Sequence, residues 1–140
     1  MLQDFLNNEE NHFVKSFLIR VLMPFRDFVD FGFIRGFLKD TDPRVRSNTV
    51  EFLGYLGGIS ELPYITGMLQ DKNPRVVSSS VLILRKFGKK EVIEKINEML
   101  DSNSRGEIFA AFFLIKKTKV KVYFEKILKL IEKNEDPTFI

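Results

Sequence analysis

The stretch Leu38-Lys39-Asp40-Thr41-Asp42-Pro43-Arg44-Val45 returns 31 residues later as Leu69-Gln70-Asp71-Lys72-Asn73-Pro74-Arg75-Val76. One interval further on, Leu100-Asp101-Ser102-Asn103-Ser104-Arg105 keeps the frame but loses the proline. One interval earlier stands Asn11-His12-Phe13-Val14-Lys15-Ser16, and Glu135-Asp136-Pro137 opens the pattern again, one residue late. A fixed period in the range of about 20–50 residues marks stacked supersecondary units, none of which can bury its apolar face alone.

Each unit reads as two antiparallel helices, A then B. Asp42 and Asn73 suit an N-cap, because a short side-chain oxygen can accept the unpaired amides of a first helical turn. Pro43 and Pro74 then fall at the first helical position, where a missing N–H costs nothing. Helix A of the second unit is expected over 43–56, ending at Gly57-Gly58, with Gly88 ending the next A helix. Ser60 is the expected cap of the following B helix, and Pro63 sits in its first turn.

The B helices fix the register. Ile34, Ile65, Ile96 and Ile127 stand 31 apart, as do Phe31, Leu62, Ile93 and Phe124. The same holds for Phe37, Met68, Met99 and Leu130, and for Leu38, Leu69, Leu100 and Ile131. Positions 31, 34 and 38 share one helical stripe. Helix A carries its own stripe at Val45, Thr49, Phe52, Leu53 and Leu56, matched by Val76, Ser80, Ile83, Leu84 and Phe87. Small residues at Asn48-Thr49, Ser79-Ser80 and Ala110-Ala111 let neighbouring helices come close. The expected fold is therefore all-α, an α-α superhelix of about four helix pairs, with units near 8–39, 40–70, 71–101 and 102–134 in one domain over 1–140. Met1–Leu6 reads as the end of an earlier B helix and Asp136-Pro137 as the start of another A helix, so a piece of a longer solenoid is expected.

Composition narrows the function classes. Of 140 residues, 44% are hydrophobic and 29% charged, with a formal net charge of +3, an ordinary balance for a folded domain. The absence of cysteine removes disulfides and thiolate metal sites. The polar, acidic first ten residues do not resemble a signal peptide, and the longest apolar runs, 21–25 and 108–115, fall short of the ~18 residues that span a bilayer. A cytoplasmic protein without membrane contact is expected.

The residues Asp42-Pro43-Arg44-Val45-Arg46, the small pair after them and the ending Leu53…Leu56-Gly57 resemble the short HEAT repeats of bacterial and archaeal proteins, the kind also seen in phycobiliprotein chromophore lyases. The resemblance covers about residues 11–137 and implies a solenoid whose B helices line the concave face. The arginine of the motif is Arg46 in one unit only, with Lys15, Val77 and Ile108 elsewhere, so a side-chain ladder on that arginine is not expected.

No catalytic residue, metal site or cofactor is expected. The single histidine, His12, lies near a helix start with no partner pattern around it. Glu91, Glu94 and Glu98 alternate with Lys90 and Lys95, which is ordinary pairing on a solvated helix face. The glycines form no phosphate loop. The residues off the B stripe are more informative: Val29, Gly32, Phe33 and Gly36, then Ser60, Pro63, Tyr64 and Gly67. In the third and fourth units they become Glu91, Glu94, Lys95, Glu98 and Val122, Glu125, Lys126, Lys129. Half of that face is smooth and aromatic, half charged. On helix A the outer face reads Ser16/Arg20, Ser47/Glu51, Ser78/Leu82 and Phe109/Phe113, with Phe109 expected to be buried and Phe113 to remain open for a protein contact.

The expected function is a non-enzymatic scaffold that binds a protein or peptide partner on its concave face. Phe33 and Tyr64 serve as anchors, Lys95, Lys126 and Lys129 steer an acidic segment, and Phe113 adds a second contact. A nucleic-acid-binding module is the alternative, since seven lysines face two glutamates between Lys116 and Lys133. HEAT-like DNA glycosylases would imply aromatic and acidic residues in a basic groove; this chain has no tryptophan and its charges alternate in sign. A chromophore-handling role rests on the resemblance alone. Unit one is rich in phenylalanine, so self-association through the open ends of the solenoid is also expected.

Overall fold

The computed structural model describes residues 1–119 and 123–133, with no account of the side chains of Phe124 and Lys133. Val122, Lys121 and the Glu135-Asp136-Pro137 motif lie outside the described residues. The helices run α1 (Leu2–Asn8), α2 (His12–Val21), α3 (Phe31–Arg35), α4 (Pro43–Leu56), α5 (Leu62–Gly67), α6 (Pro74–Lys86), α7 (Glu91–Leu100), α8 (Arg105–Thr118) and α9 (Phe124–Lys133). Short 3-10 segments fill Met23–Phe28, Gly36–Lys39, Gly58–Glu61 and Met68–Gln70. The A helices α2, α4, α6 and α8 pack side by side in order, and the B helices α3, α5 and α7 pack against them. This is the all-α solenoid the repeat predicts.

Each unit turns from B to A through the same capped corner. The side chains of Asn11, Asp42, Asn73 and Ser104, all 31 apart, accept amides of the first turns of α2, α4, α6 and α8. Two residues before each cap a second acceptor holds the cap's own amide: Glu9 to Asn11, Asp40 to Asp42, Asp71 to Asn73 and Ser102 to Ser104, at 2.8–3.0 Å. Four orphan donors at the entrance of each helix are thus partly satisfied before any tertiary contact forms. The Arg44 guanidinium beside Asp42 pulls that carboxyl down to about 2.

The corners also carry ion pairs. Arg46 donates from Nε and Nη2 to both oxygens of Asp71, at 2.7 and 2.8 Å, with both side chains 7% exposed. It also donates to the carbonyls of Asp40 and Thr41. One unit earlier Lys15 makes the equivalent contact to Asp40 at 3.4 Å. A ladder therefore exists over two rungs, where the sequence argued against one. It stops where Val77 replaces the cation and Ser102 the anion. His12 closes on the first rung, its Nδ1 lying 3.2 Å from Asp40 Oδ1.

The A helices meet across small side chains. Asn48 Nδ2 donates to the carbonyl of Ser16 at 2.7 Å, and Ser47 and Ser79 share a hydrogen bond between their hydroxyls at 2.8 Å. Thr49 and Ser80 turn their hydroxyls onto their own helices, at Val45 and Val76, so neither of these buried hydroxyls is stranded. Gly54 lies in the α4–α6 seam: a Cβ there would fall 2.3 Å from Ile83 Cγ2. Ser47 is fully buried and Ser16 and Ser78 nearly so, which corrects the reading of these positions as an outer face. A helix flanked by two others has little outer face left.

The B stripe holds except at Ile93 and at Ile131, which is 41% exposed. Ile34, Ile65 and Ile96 are buried, and Ile127 is half-buried against the core. In the third unit Val92, Ile96, Met99 and Leu100 are buried and Ile93 is 52% exposed. Because α7 is an uninterrupted α-helix, its inward set falls at i, i+4, i+7 and i+8 from Val92, which turns Ile93 outward. Ser60 is no cap; its hydroxyl donates to the carbonyl of Gly57, and α5 begins after a 3-10 turn instead. The glycine turns are as read, with Gly58 and Gly88 in the left-handed region at φ 69° and 67°.

Gly54→Ala should destabilise the fold by about 1–3 kcal/mol, although alanine is the better helix former, because Ile83 has nowhere to go. Urea unfolding reads this, and an Ile83→Val background should recover part of the loss.

A second expectation concerns acid. Burial raises the Asp71 carboxyl, but the Arg46 hydrogen bonds, the Asn73 amide and the charges of Arg46 and Lys72 outweigh it and hold the group below its usual 3.8. A carboxyl lowered in the folded state stabilises fully above its unfolded value, and that stability is lost as pH falls through the folded value. Stability should therefore drop as pH falls below about 4, and Asp71→Asn should flatten that acid limb in pH-dependent denaturation. At neutral pH Arg46→Ala should cost about 3–5 kcal/mol by stranding a buried carboxylate.

Candidate binding face

The B helices of the first two units are short and end alike. Helix α3 gives way to a 3-10 turn at Gly36, and α5 to one at Met68 after Gly67. Both glycines have helical backbone angles, and a Cβ at either would meet nothing within 4 Å. Packing does not require them. Gly32 differs: the Asp30 carboxylate takes its amide at 2.8 Å, and a Cβ there would lie 3.2 Å from Asp30 Oδ1. A smooth strip of backbone thus runs beside Phe33 and Tyr64.

Phe33 and Tyr64 are equivalent in register but not in environment. Phe33 is half-buried, with its ring edge-on to Phe37 at 5.2 Å, and it lines a recess of about 200 Å³ with Leu6, Leu22, Phe28 and Val29. Tyr64 is 47% exposed, under the guanidinium of Arg35, which stands 4.7 Å from the ring centre. Arg35 Nη1 also donates to the Tyr64 hydroxyl at 3.4 Å, and Nε to Glu61 Oε2 at 2.9 Å. Glu61 is 2% exposed, and Gly57 makes room for it, since a Cβ at 57 would strike Glu61 Cγ. The cluster Arg35–Glu61–Tyr64 ties the B helix of unit one to that of unit two and stiffens the aromatic anchor. The repeat did not single it out, because the equivalents of Glu61 are Asp30 and Val92 and those of Arg35 are Asp4 and Thr66.

The lysines are less free than their sequence positions suggest. Lys95 pairs with Glu98 at 3.1 Å, and Lys126 donates to Asp101 at 2.8 Å and to the Asn97 side chain at 3.3 Å. Lys126 thereby ties α9 to the end of α7, whereas Lys95 pairs within α7 itself, one turn along the same helix. Lys129 is exposed. Phe113 lies apart from all of these, on the A-helix side, in a groove of about 370 Å³ with Leu82, Ala110, Glu51 and Arg75. Lys117 sits over its ring at 5.7 Å. Phe109 is 51% exposed, against the expectation that it is buried: α8 starts at Arg105 under the Ser104 cap with no register shift, and Ile108 goes inward instead. Among the described residues no group of three or more His, Asp or Glu side chains gathers as metal ligands.

A family model described as HEAT repeats matches residues 32–113, more than half of the chain. No curated protein matches it.

Gly36→Ala and Gly67→Ala should each raise stability by about 0.4–1 kcal/mol, since alanine is strain-free there and restricts the unfolded chain. Thermal or urea unfolding of the two variants checks this; a loss of stability in either would mean the position is packed.

Proposed function

Because the chain belongs to the HEAT repeat family, we propose that it is a non-enzymatic scaffold that takes an extended segment of a protein partner on its B-helix face, the concave one in such solenoids. One observation carries the reading: Gly36 and Gly67 stand 31 residues apart over open space, each beside an aromatic side chain of the same register, and no packing need explains them. Glycine in a helix costs about 1 kcal/mol against alanine, so two such positions are best accounted for by what lies over them. A peptide backbone fits close to a smooth helix surface, and a half-exposed aromatic held by a cation supplies the anchor. Tyr64 is the primary anchor on this reading. Phe33 forms the floor of the adjoining recess, and Lys129 meets an acidic residue of the same segment. Phe113 belongs to a separate surface.

The reading places the protein in the cytoplasm, in keeping with a chain free of cysteine. No helix among the described residues is long and apolar enough to cross a membrane. Nucleic-acid binding is the weaker alternative, because Lys95 and Lys126 spend their charge on Glu98 and Asp101.

Selection of phage-displayed random peptides against the immobilised chain tests the proposal. Enriched peptides should lose affinity at least about tenfold on Tyr64→Ala and on Gly67→Glu, while Phe113→Ala binds them as before. Peptides that follow Phe113 and ignore Tyr64 and Gly67 would place the binding surface elsewhere. Salt-dependent binding of duplex DNA without peptide selection would favour the alternative.

A further inference from the structure

The outward side of α2 carries Phe13, Phe17 and Val21 at i, i+4 and i+8, exposed to 63%, 59% and 41%. Large aromatic groups in a row on one helix face are not incidental surface. Their register says which way they point. Phe17 is the equivalent of Asn48 and Ser79, and both of those turn to the preceding A helix: Asn48 to the carbonyl of Ser16, Ser79 to the hydroxyl of Ser47. Phe17 therefore faces along the axis of the stack, away from α4. Inner seams work because that position is small. A helix seated on α2 at the same hydrogen-bonded distance would run into the phenylalanine ring, so this face fits a partner at the wider spacing of interleaved rings.

The charges around the row identify the partner. Glu9 and Glu10 lie just before α2, and Arg20 lies at its far end on the flank of the aromatic row; Glu10 and Arg20 are exposed. We propose that this face pairs with itself: two copies of the chain associate through antiparallel α2 helices, Phe13 against the other copy's Phe17 and Arg20 against the other copy's Glu10. A two-fold axis near the middle of the helix generates both ring contacts and both ion pairs at once, as a closed isologous interface requires. Antiparallel helix dipoles favour the same orientation. The rings supply the attraction, and the charges set the direction.

Sedimentation equilibrium of the full chain, up to about 200 µM because a single-helix contact lies at the weak end of interfaces, should show a monomer–dimer equilibrium. Phe17→Asp should abolish the dimer with the circular dichroism unchanged, since the side chain is mostly exposed. Arg20→Glu should weaken the dimer several-fold, Glu10→Arg likewise, and the double exchange should recover it. A monomer throughout the range overturns the proposal. So does a dimer that ignores Phe17→Asp, or one that loses association on Phe17→Asp yet shows no recovery in the double exchange. A wild-type chain that stays monomeric but binds anionic lipid vesicles through Phe17 would assign the face to a membrane instead.

Discussion

Consecutive A helices lie close because one of the facing residues at each contact is small: a glycine, a serine or an asparagine. That spacing is the constraint on which the rest of the structure depends. Gly54 against Ile83, Ser47 against Ser79 and Asn48 against the Ser16 carbonyl hold α2, α4 and α6 in one layer. Once these helices are fixed, the B helices are bound to follow, because each must bury its stripe between two A helices already in place. The capped corners then set where each unit begins, and the ion pairs at Asp40 and Asp71 lock one corner to the next.

What was legible in the sequence is what repeats. The caps at Asp42 and Asn73, the prolines after them, the isoleucine row of the B helices and the glycine turns all recur at 31, and the structure has them where the interval puts them. What was illegible occurs once or depends on a neighbour. The Arg35–Glu61 pair has no counterpart one unit on, so periodicity carries no trace of it. The ladder escapes a search for repeated arginine, because one of its rungs is made by the ammonium of Lys15 reaching Asp40. Ser47 and Ser78 look like surface residues until two helices flank the one that carries them. Ile93 follows the spacing of the second unit, where 3-10 turns alter the phase, into a unit whose B helix is continuous.

The candidate face is legible in the same partial way. Sequence arithmetic pairs Phe33 with Tyr64 and sets glycines beside them, but it cannot tell a ring that packs on Phe37 from one that lies under a guanidinium. The lysines illustrate the converse. Counted along the chain they make a basic end; in three dimensions Lys126 is already neutralised by Asp101 at the end of the neighbouring helix, and Lys95 by Glu98 one turn along its own. Charge read from composition overstates the field that a partner would meet whenever the counter-charge comes from another repeat.

The 3-10 endings of the first two B helices give the molecule two sides of different stiffness. Helices α4 and α6 run 14 and 13 residues without interruption and are buried along most of their length. Opposite them, α3 and α5 are five and six residues long and pass into turns whose hydrogen bonds are poorer and whose rise per residue is greater. Amides on the back should exchange with solvent only through global opening, and those on the front through local excursions of small free-energy cost. Any change of curvature would fall on the front, where short helices and 3-10 turns give way before the continuous spine does. A segment laid along that front would quiet those excursions, and part of its binding free energy would be spent on lost chain entropy rather than on contacts.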